Sequence, residues 1–292
     1  MYDLAIIGGG PAGVSAGVYA ARKRLKTVFI TEAFGGQSTE SVGIENWIGT
    51  VSIAGGDFGK ALETHLRAYA DDVVDIKTGE KVAKVAKAEE GFKIDVGSNS
   101  YEARAVLVAT GASRKKLDIP GSKEFENKGI TYCASCDGPL FSDQDVAVIG
   151  GGNAGFETAA QLLAYAKSVT LIHHGREFKA DARTVEKVLS HPNMKALKNA
   201  EPVEVKGEKF VSSLVYKDLV STEERKLAVT GIFVEIGLVP NTSFVEGLVA
   251  LNSYKQIPVD LRTQRTAVDG LWAAGDSTDA PYHQNNIAAG DA

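Results

Sequence analysis

Two parts of the chain show the same order of hydrophobic and polar positions. In the first part, a mostly apolar run from Tyr2 to Ile7 predicts a short buried strand. A glycine cluster follows it, and small residues then keep helical spacing through Ala21. Lys26 to Ile30 predicts a second strand, which ends at Glu32. This order of strand, glycine-rich turn, helix, strand and acid predicts a dinucleotide-binding unit.

The same order returns in the middle of the chain. Asp145 to Ile149 predicts an apolar strand, a second glycine cluster follows, and a helix is expected to about Ala166. Ser168 to Ile172 predicts the next strand. Because two such units usually bind two nucleotides and pass electrons between them, we expect an α/β fold with two Rossmann-like dinucleotide-binding domains. The alternative is a duplicated second domain that has lost its ligand.

Each glycine of the first cluster has a separate task. Gly8 permits a tight turn, Gly10 lets the backbone approach a pyrophosphate, and Gly13 lets the helix pack on the strand. The N-terminus of that helix carries about half a positive charge toward the pyrophosphate. Glu32 can accept hydrogen bonds from both hydroxyls of an adenosine ribose and would repel a 2′-phosphate, which favours FAD or NAD at this site. A glycine-rich loop without a ligand is the alternative.

The second unit differs after its second strand, where no acid stands. His173, His174 and Arg176 follow the strand, and Lys179 lies a little further on. Cationic and neutral groups suit a 2′-phosphate, so the second unit favours NADPH, with NADH as the other possible donor. A solvated basic turn on the surface is the alternative interpretation.

The chain has only two cysteines, and both lie between the two units. Cys133 and Cys136 are spaced so that their sulfurs can close a small disulfide ring, and Asp137 directly follows. In such motifs one thiol often has a lowered pKa and attacks as the thiolate, and a neighbouring acid can move protons. Two cysteines cannot complete a four-ligand zinc site, so no metal is expected. The alternative is that both cysteines are buried structural thiols, but this alternative gives the adjoining Asp137 no function.

Length and charge limit the classes of protein that fit. The 292 residues suit two domains rather than one core. With a net charge of −5, the chain lacks the basic footprint of a nucleic-acid-binding protein. The uncharged stretch from Leu4 to Ala21 is broken by glycines and a proline, and its flanking charges have the wrong order for a signal peptide, so no membrane span or targeting segment is predicted. We expect a soluble cytoplasmic protein.

With these parts in place, the whole chain resembles the low-molecular-weight thioredoxin reductases. It is even more similar to the flavoprotein domain of the alkyl hydroperoxide reductase F subunit. The shared motifs are Gly8 to Gly13, Gly35-Gly36-Gln37, Glu45-Asn46-Trp47, Ala109-Thr110-Gly111, Cys133 to Phe141, Gly150 to Asn153, Gly231 to Pro240, Gly275-Asp276, and Gln284 with Ala288-Ala289-Gly290. Together they are specific at the level of the superfamily.

The resemblance implies which residues bind each cofactor. Asp276 would bond the flavin ribitol or pyrophosphate, and Gln284 with the following helix N-terminus would face the isoalloxazine. The residues expected to bind FAD are Gly8, Gly10, Pro11, Ala12, Gly13, Glu32, Gly36, Gln37, Asn46, Ala109, Thr110, Gly111, Gly275, Asp276 and Gln284. The residues expected to bind NADPH are Gly150, Gly152, Asn153, Ala154, His173, His174, Arg176 and Lys179.

The resemblance also assigns roles to the two sulfurs and an activity to the chain. Cys136 would lie nearest the flavin, Cys133 would attack a partner disulfide, and Asp137 would serve as the acid-base residue. The implied activity is that of a thioredoxin-disulfide reductase, in which electrons pass from NADPH to FAD, to the cysteine disulfide, and then to a thioredoxin-like or glutaredoxin-like protein disulfide. A homodimer is the assembly expected of the family.

The implied domains are interleaved along the chain. The FAD-binding domain would comprise residues 1–111 plus 241–292, and the NAD(P)H-binding domain with the Cys-x-x-Cys would be inserted as residues 112–240. The flavin must be reached by both the disulfide and the nicotinamide, and the disulfide must also reach a partner protein. Because one rigid arrangement cannot serve all three contacts, we expect the inserted domain to rotate on its two linkers, as in the family.

Departures from the family pattern leave other functions open. Reductases that use NADPH usually show His-Arg-Arg-x-x-x-Arg where this chain keeps only His173 and a basic residue at position 179. The hydroperoxide-reductase type has a glutamate at the position of His173, which is also missing. An NADH-dependent reductase of a peroxiredoxin system, with a separate thioredoxin-like protein as its acceptor, is therefore one alternative. A flavin-binding redox sensor without turnover is another, whereas the cysteine pair argues against a flavodoxin or ferredoxin reductase.

Overall fold

The chain is organised as two compact units. A computed structural model describes residues 1–41 and 43–292. Unit 1 comprises Met1–Ser113 and Val239–Ala292, and unit 2 comprises Arg114–Leu238. The crossings from one unit to the other thus lie close to the predicted boundaries after residues 111 and 240. Which nucleotide each unit binds stays a prediction.

Both units are built from strands and helices. The strands are β1 (Tyr2–Gly9), β2 (Thr27–Phe34), β3 (Val74–Thr78), β4 (Val82–Lys87), β5 (Phe92–Val96), β6 (Asn99–Val108), β7 (Ala112–Arg114), β8 (Ile130–Thr131), β9 (Asp145–Ile149), β10 (Ser168–Ile172), β11 (Met194–Leu197), β12 (Ala200–Gly207), β13 (Val211–Asp218), β14 (Glu224–Ala228), β15 (Gly231–Val234), β16 (Leu238–Pro240) and β17 (Leu271–Ala273). The α-helices are α1 (Pro11–Arg22), α2 (Gly55–Ala70), α3 (Ala134–Asp137), α4 (Asn153–Leu162), α5 (Ala182–Leu189) and α6 (Asn285–Asp291). Short 3₁₀ turns cover Gly36–Glu40, Gly138–Phe141, Ser243–Val245 and Gly275–Ser277.

Unit 1 is centred on a mixed sheet with the strand order β3-β2-β1-β6-β5-β4, and β17 lies beside β6. β1, β2, β3 and β17 run parallel to their neighbours, whereas β4 and β5 form an antiparallel hairpin that continues onto β6. Phe29 and Phe58 are fully buried where α1 and α2 cover one face of the sheet. The parallel strands β1, β2, β6 and β17 therefore end at one edge, which is where nucleotides bind in such sheets.

Unit 2 contains a fully parallel sheet with the strand order β11-β10-β9-β15-β8. Its central strands are buried on both faces, which explains why β9 and β15 read as continuous apolar runs. Phe156 of α4 and Phe233 of β15 are fully buried in the core on one face. A second core cluster combines residues of this parallel sheet, such as Ile149, with residues of a separate antiparallel sheet of β12, β13 and β14, such as Leu214.

The predicted elements agree with these two units, with one boundary corrected. The second-unit helix was expected to reach about Ala166, but α4 ends at Leu162. The chain tightens there into i→i+3 hydrogen bonds, such as Tyr165 N–H to the Leu162 carbonyl at 3.0 Å. This turn brings Lys167, just before β10, back to donate to the Gln144 carbonyl. Within the described residues, no helix combines the length and apolar character that a membrane span requires.

Candidate redox site and nucleotide-binding turns

The turn between β1 and α1 is shaped by three glycines. Gly8 has a φ of +121°, and a Cβ there would overlap the carbonyl oxygen of Ala109. A Cβ on Gly13 would overlap the carbonyl oxygen of Gly8, so the helix begins pressed against the strand. Gly10 is the N-cap of α1, and no described atom lies within 4 Å of where its Cβ would stand. Since no described side chain caps this helix, its first N–H groups can hold a phosphate in that open space.

The loop after β2 returns to this glycine turn. A Cβ on Gly36 would lie 3.6 Å from the Cα of Gly10. The side-chain amide of Gln37 donates a hydrogen bond to the carbonyl of Ala112. Residues 109–111 directly follow β6 and lie beside the glycine turn. The predicted FAD residues of these three segments are therefore neighbours in unit 1.

The C-terminal helix α6 is tied to the same edge. Gln284 is its N-cap, and the Oε1 atom of Gln284 accepts a hydrogen bond from Asn46 at 3.0 Å. A Cβ on Gly275 would lie 3.4 Å from the Cβ of Ala12 and 3.2 Å from that of Ala288. Gly275 thus permits α1 and α6 to approach each other, and it brings the predicted residues Asn46, Gln284 and Ala12 into one region.

Two acids predicted to contact FAD also lie at this edge. Glu32 is exposed near the end of β2, and its Oε1 lies 3.3 Å from the Nζ of Lys81. A salt bridge between two exposed side chains is weak, so Glu32 stays available to a ribose. Asp276 is half-buried in the 3₁₀ turn that follows β17. Because β17 runs parallel to β6, Asp276 and the chain after β6 reach the same edge of the sheet.

The glycine turn of unit 2 repeats these contacts. Gly150 has a φ of +130°, and a Cβ there would overlap the carbonyl oxygen of Glu235. A Cβ on Gly155 would overlap the carbonyl oxygen of Gly150. Gly152 is the N-cap of α4, with no side-chain cap and no atom within 4 Å of its would-be Cβ among the described residues. Unit 2 therefore has a second turn that fits a pyrophosphate.

The segment predicted to recognise a 2′-phosphate packs back on this second turn. The N–H of Lys179 donates to the Gly151 carbonyl at 2.8 Å, and Asn153 Oδ1 accepts from the N–H of Asp181 at 2.8 Å. These bonds place the basic segment next to the N-terminus of α4. The predicted nucleotide residues that are exposed here are Asn153, Ala154, His174, Arg176 and Lys179.

His173, in contrast, is only 4% exposed. A Cβ on Gly151 or on Gly175 would meet its ring, and its Nε2 lies 2.8 Å from the carbonyl oxygen of Glu177. Burial lowers the pKa of His173 and so favours the neutral form of the ring. The His173 ring therefore fills space within the turn. The positive charge near the turn comes from the exposed residues Arg176 and Lys179. A role of His173 in NADPH binding stays a prediction.

The two cysteines form a disulfide at the N-terminus of α3. Cys133 and Cys136 are bonded to each other, with their Cα atoms 5.3 Å apart, and both are half-buried. Asp137 follows them, and its Oδ2 accepts a hydrogen bond from the Thr131 hydroxyl. Its Oδ1 is buried without a hydrogen-bond partner in the described part of the chain. The predicted pairing of the cysteines and the predicted position of the acid are thus found together.

Asp137 has the properties of a proton donor. Burial raises its pKa above the ordinary value, although the Thr131 hydroxyl and the positive charge of Arg114 act in the opposite direction. The carboxyl group therefore holds its proton to a higher pH than an exposed aspartate does. Such a group beside a disulfide can deliver a proton to a thiolate when the disulfide opens.

The strand order of unit 2 places the disulfide and the second glycine turn at the same edge of the parallel sheet. β15 runs parallel to both β8 and β9, and Thr131 lies opposite Phe233. Cys133 comes shortly after β8 and Glu235 directly after β15, so both lie beyond the carboxyl ends of adjacent parallel strands. Gly150 follows β9 on the other side of Glu235. The carboxyl ends of three adjacent strands thus carry the disulfide, an acid and a nucleotide-binding turn, in that order.

Glu235 is a site residue that sequence reasoning missed. Its Oε1 accepts a hydrogen bond from the Thr158 hydroxyl at 2.9 Å and lies 3.6 Å from the guanidinium of Arg114. Burial raises the pKa of Glu235, against the opposing effects of Arg114 and Thr158. The signal was available in the sequence, because Glu235 is a lone acid that directly follows an apolar run beginning at Gly231. Within the described residues, no cluster of His, Cys, Asp and Glu could hold a metal ion.

Comparison with known proteins gives the same picture. The family profile described as pyridine nucleotide-disulphide oxidoreductase matches residues 2–290. A protein named NADH dehydrogenase from Bacillus subtilis is 39% identical over 290 residues, and the F subunit of alkyl hydroperoxide reductase from Escherichia coli K12 is 41% identical over 292 residues. Each alignment covers 99% of this chain but only 56% of the relative. The chain therefore spans little more than half the length of these curated relatives.

Solved structures match the chain over nearly their whole length. Thioredoxin reductase from Streptococcus pyogenes is 32% identical with a TM-score of 0.89, and the alignment covers 100% of this chain and 94% of that one. Thioredoxin reductase from Giardia duodenalis is 33% identical with a TM-score of 0.91, covering 99% and 94% respectively. The predicted α/β fold and the resemblance drawn from the sequence motifs are confirmed. The chain belongs to the pyridine nucleotide-disulphide oxidoreductase family.

Proposed function

We propose that the chain is a flavin-dependent reductase that passes electrons from NADPH, through FAD, to the Cys133–Cys136 disulfide and then to a thioredoxin-like or glutaredoxin-like protein disulfide. The observation that carries the proposal is the arrangement at one sheet edge of unit 2, where the disulfide and Asp137 follow β8 and a glycine turn suited to a nucleotide follows β9, with β15 between these two strands. The thioredoxin reductases among the solved structures support the acceptor class, because their chains are covered almost completely.

Unit 1 is proposed to hold FAD, and unit 2 to hold the nicotinamide. In unit 1 the open space over Gly10 and the uncapped N-terminus of α1 suit a pyrophosphate, while Glu32 suits a ribose. The segments that carry Gln37, Asn46 and Gln284 converge on the same edge. FAD, when bound there, would supply the two-electron chemistry that joins a hydride donor to a disulfide.

Electrons pass to the partner protein through the sulfurs of Cys133 and Cys136. With both cysteines reduced, the Cys133 thiolate attacks one sulfur of the partner disulfide and releases the other partner sulfur as a thiolate. The Cys136 thiolate then attacks the Cys133 sulfur, which re-forms the internal disulfide and releases the partner as a dithiol. Asp137 gives up its proton to a released thiolate and regains a proton in the next cycle. The pKa of Asp137, raised by burial, supports this role.

NADPH is proposed as the donor because the groups around the second turn are basic. Arg176 and Lys179 lie on the solvent side of the turn, with His174 between them and the end of β10. Replacing Arg176 by Gln should raise the KM for NADPH and leave the KM for NADH nearly unchanged, because only NADPH carries the 2′-phosphate. An equal rise for both nucleotides would argue against phosphate recognition by this residue.

An NADH-dependent reductase of a peroxiredoxin system is a second candidate. Two observations favour it: the identity of 41% to an F subunit of alkyl hydroperoxide reductase, and the burial of the His173 ring, which lowers its pKa and so disfavours the charged form that would bind a phosphate. The ratio of kcat/KM for NADPH to that for NADH separates the two candidates. A ratio well above one supports the first, and a ratio well below one supports the second.

The proposed disulfide route is tested by replacing Cys136 with Ser. We expect loss of turnover with thioredoxin-like and glutaredoxin-like acceptors, because Cys133 alone cannot complete the exchange. Binding of FAD should remain, since no predicted FAD residue is altered. A Ser135→Ala variant is the matched control, and it should keep its activity because it changes the loop but neither sulfur. Persistent protein-disulfide turnover by the Cys136 variant would contradict the assignment.

The assembly and location of the protein are also proposals. We propose a cytoplasmic homodimer, on the basis of the family resemblance and of a lone cysteine pair suited to a reducing compartment. We further propose that unit 2 rotates on the two linkers during the cycle. The linkers are short and form the paired strands β7 and β16, and a pair of this kind can serve as a hinge.

A further inference from the structure

A lysine of unit 2 that belongs to no predicted nucleotide site contacts the basic segment, residues 173–179. Lys198 directly follows β11, the strand that runs parallel beside β10. Its Nζ lies 3.1 Å from the Oε2 of Glu177 and 4.8 Å from the centroid of the Phe178 ring. Both of these partners belong to the basic segment, so a cation from the neighbouring strand joins the group of charges predicted to select the donor.

We propose that Lys198 helps unit 2 to recognise the 2′-phosphate of NADPH, and that Glu177 competes with this phosphate for the Lys198 ammonium group. This inference rests on the proposed function, because it concerns how the proposed donor is selected. Lys198 is then a further specificity-determining residue of the nicotinamide site. Glu177 acts on the donor through Lys198, so it is a positioning residue.

The strand order places Lys198 at the sheet edge where the adenosine ribose is expected. In a dinucleotide-binding unit, the ribose lies at the carboxyl end of the second strand, which is β10 here. The N–H of His173 donates to the Leu197 carbonyl at 2.9 Å, and the N–H of Ala200 donates to the His173 carbonyl at 3.0 Å. Because Lys198 lies between these two hydrogen bonds, its backbone is fixed beside the end of β10.

The partners of Lys198 in the basic segment are also fixed. The ring centroid of Phe178 lies 5.0 Å from that of Phe156, which is fully buried in the core of unit 2. The N–H of Asn199 donates to the Gly175 carbonyl at 3.1 Å, which joins the chain after Lys198 to the same segment. The ammonium group of Lys198 therefore lies over a ring that packing holds in place, an arrangement that stabilises a cation.

Cations from two parts of the chain thus gather at this segment. Arg176 and Lys179 are exposed on the segment itself, and Lys198 comes from the end of β11. Burial and, after it, positive charges that include those of Lys179 and Lys198 lower the pKa of the enclosed His173. Because a phosphate carries about −1.5 to −2 charges near pH 7 and three strong acceptor oxygens, it binds best where several cations meet.

Glu177 opposes this attraction, because it is the acid of the basic segment and already pairs with Lys198. The side chain of Glu177 is 85% exposed, and that of Lys198 is 39% exposed. An ion pair this open to solvent is weak, so a bound phosphate can replace Glu177 as the partner of Lys198. A donor without a 2′-phosphate leaves the pair intact. Lys198 therefore increases the preference for NADPH over NADH, and Glu177 decreases it.

The test measures the binding of two nucleotide fragments to the FAD-loaded protein by isothermal titration calorimetry, so it requires no turnover. Adenosine 2′,5′-bisphosphate carries the 2′-phosphate, whereas 5′-AMP lacks it, and FAD loading keeps both fragments out of the proposed FAD site. Low ionic strength is used because salt screens exposed charges.

Replacing Lys198 by Met should weaken binding of the bisphosphate about threefold or more and leave binding of 5′-AMP nearly unchanged, because one cation near the 2′-phosphate is lost. Lys198→Arg should restore most of the affinity, since it keeps the charge. Glu177→Gln should tighten binding of the bisphosphate about twofold or more, because Lys198 loses its competing partner.

Lys195→Met is the matched control. Lys195 is exposed in β11, three residues before Lys198 and therefore about 10 Å away along the strand. Its replacement should change the affinity for neither fragment. Should the Lys198→Met variant fail to fold because it loses the contact with Phe178, the tighter binding expected of Glu177→Gln still decides the case.

An equal loss of affinity for both fragments in Lys198→Met, or no loss for the bisphosphate in that variant, would overturn the inference. Unchanged or weaker binding of the bisphosphate by Glu177→Gln would do the same. The ratio of the two affinities in the wild type tests the proposed donor, and the Cys136 variant tests the disulfide route. Failure of this inference is therefore distinguishable from failure of the proposed function.

Discussion

The glycines of the two nucleotide-binding turns differ in whether a side-chain methyl group would overlap neighbouring atoms. Replacing Gly150 by Ala should lower the free energy of unfolding by about 2–6 kcal/mol, because steric overlap with Glu235 and a positive φ each cost about 1–3 kcal/mol. Gly152→Ala is the matched control, since its Cβ meets open space. It should cost less than about 1 kcal/mol and still weaken nicotinamide binding. Urea unfolding and NADPH titration check both variants, and equal stability losses would contradict this distinction.

Glu235 should make the stability of the protein depend on pH. Its folded pKa is raised above the ordinary value of 4.5, so its stabilising contribution is fully present below pH 4.5 and is lost as the pH rises through the folded pKa. Glu235→Gln removes this dependence. The free energy of unfolding of the variant minus that of the wild type should therefore increase with pH above 4.5.

This difference is measured by urea unfolding across the pH range. The exposed Glu89, replaced by Gln, is the control and should give a flat difference. A difference that falls with rising pH for Glu235→Gln would mean that Arg114 stabilises the ionised form by more than burial opposes it.

At the scale of single residues, the sequence predicted the site residues that belong to a short sequence motif. The glycines, the cysteine pair and Asp137 could be placed because turn geometry and sulfur chemistry depend on residues close in the chain. Arg114 and Glu235 could not, because Arg114 ends β7 and Glu235 follows β15, and these two positions lie far apart in the sequence. His173 shows the converse, since its sequence position suggested exposure but two glycines leave room for its ring to be buried.

Helix α4 connects the core of unit 2 to its glycine turn. Phe156 is fully buried, and its ring centroid lies 5.0 Å from that of Phe178 in an edge-on contact. Replacing Phe156 by Ala should lower the free energy of unfolding by about 3–5 kcal/mol, because the cavity cannot close in a packed interior. It should also weaken nicotinamide binding, since α4 carries the N-terminus that faces the phosphate.

The exposed Phe210, in the same unit, provides the control. Replacing it by Ala should change the free energy of unfolding by less than about 0.5 kcal/mol. Urea unfolding measures both variants. A small effect of the Phe156 substitution would indicate that α4 is not anchored through this core.

At the scale of elements, periodicity identified the strands and helices but not all their ends. Asp145–Ile149 and Ser168–Ile172 agree with the predicted strands because buried parallel strands are continuously apolar. The end of α4 was wrong because alanines past Leu162 are good helix formers, so composition did not reveal the tightening turn that precedes β10. β2 continues past Glu32 to Phe34, because Phe34 still pairs with Gly9 of β1.

The linkers between the units are held together on the unit 1 side by Asn241. Its Nδ2 donates to the Thr110 carbonyl at 2.9 Å, and its Oδ1 accepts from the Ser113 hydroxyl at 2.9 Å. Replacing Asn241 by Ala removes both bonds and should cost about 1–3 kcal/mol, at roughly 0.5–1.5 kcal/mol for each. We expect it to change turnover with a protein disulfide more than it changes reduction of the flavin by NADPH, because the linker pair is the proposed hinge.

Calorimetry and stopped-flow absorbance measure these two effects. Ser113→Ala removes only one of the two bonds and should show a smaller change in both. The FAD content of each variant must be determined, because Thr110 is a predicted FAD residue. Equal changes in flavin reduction and in protein-disulfide turnover would argue against a hinge at this position.

At the scale of the whole molecule, the repeated pattern of strand, glycine turn and helix predicted the α/β fold, and the motifs shared along the chain predicted the family; both predictions are confirmed. The order of the chain through the two units followed from the family resemblance. The partner protein could not be predicted, because recognition depends on a surface that no motif in this chain describes. The same holds for the donor, since the basic segment at residues 173–179 departs from both family patterns.

The central claim is that electrons from a nicotinamide reach the Cys133–Cys136 disulfide of this chain. The most direct measurement is an anaerobic titration of the FAD-loaded protein with NADPH, or with NADH, in which flavin absorbance and free thiols are followed together. The account predicts that both thiols of the pair appear as the nicotinamide is consumed, and that a Cys136→Ser variant consumes less nicotinamide and gains no thiol. Complete bleaching of the flavin absorbance by excess nicotinamide, without the appearance of any thiol, would contradict it.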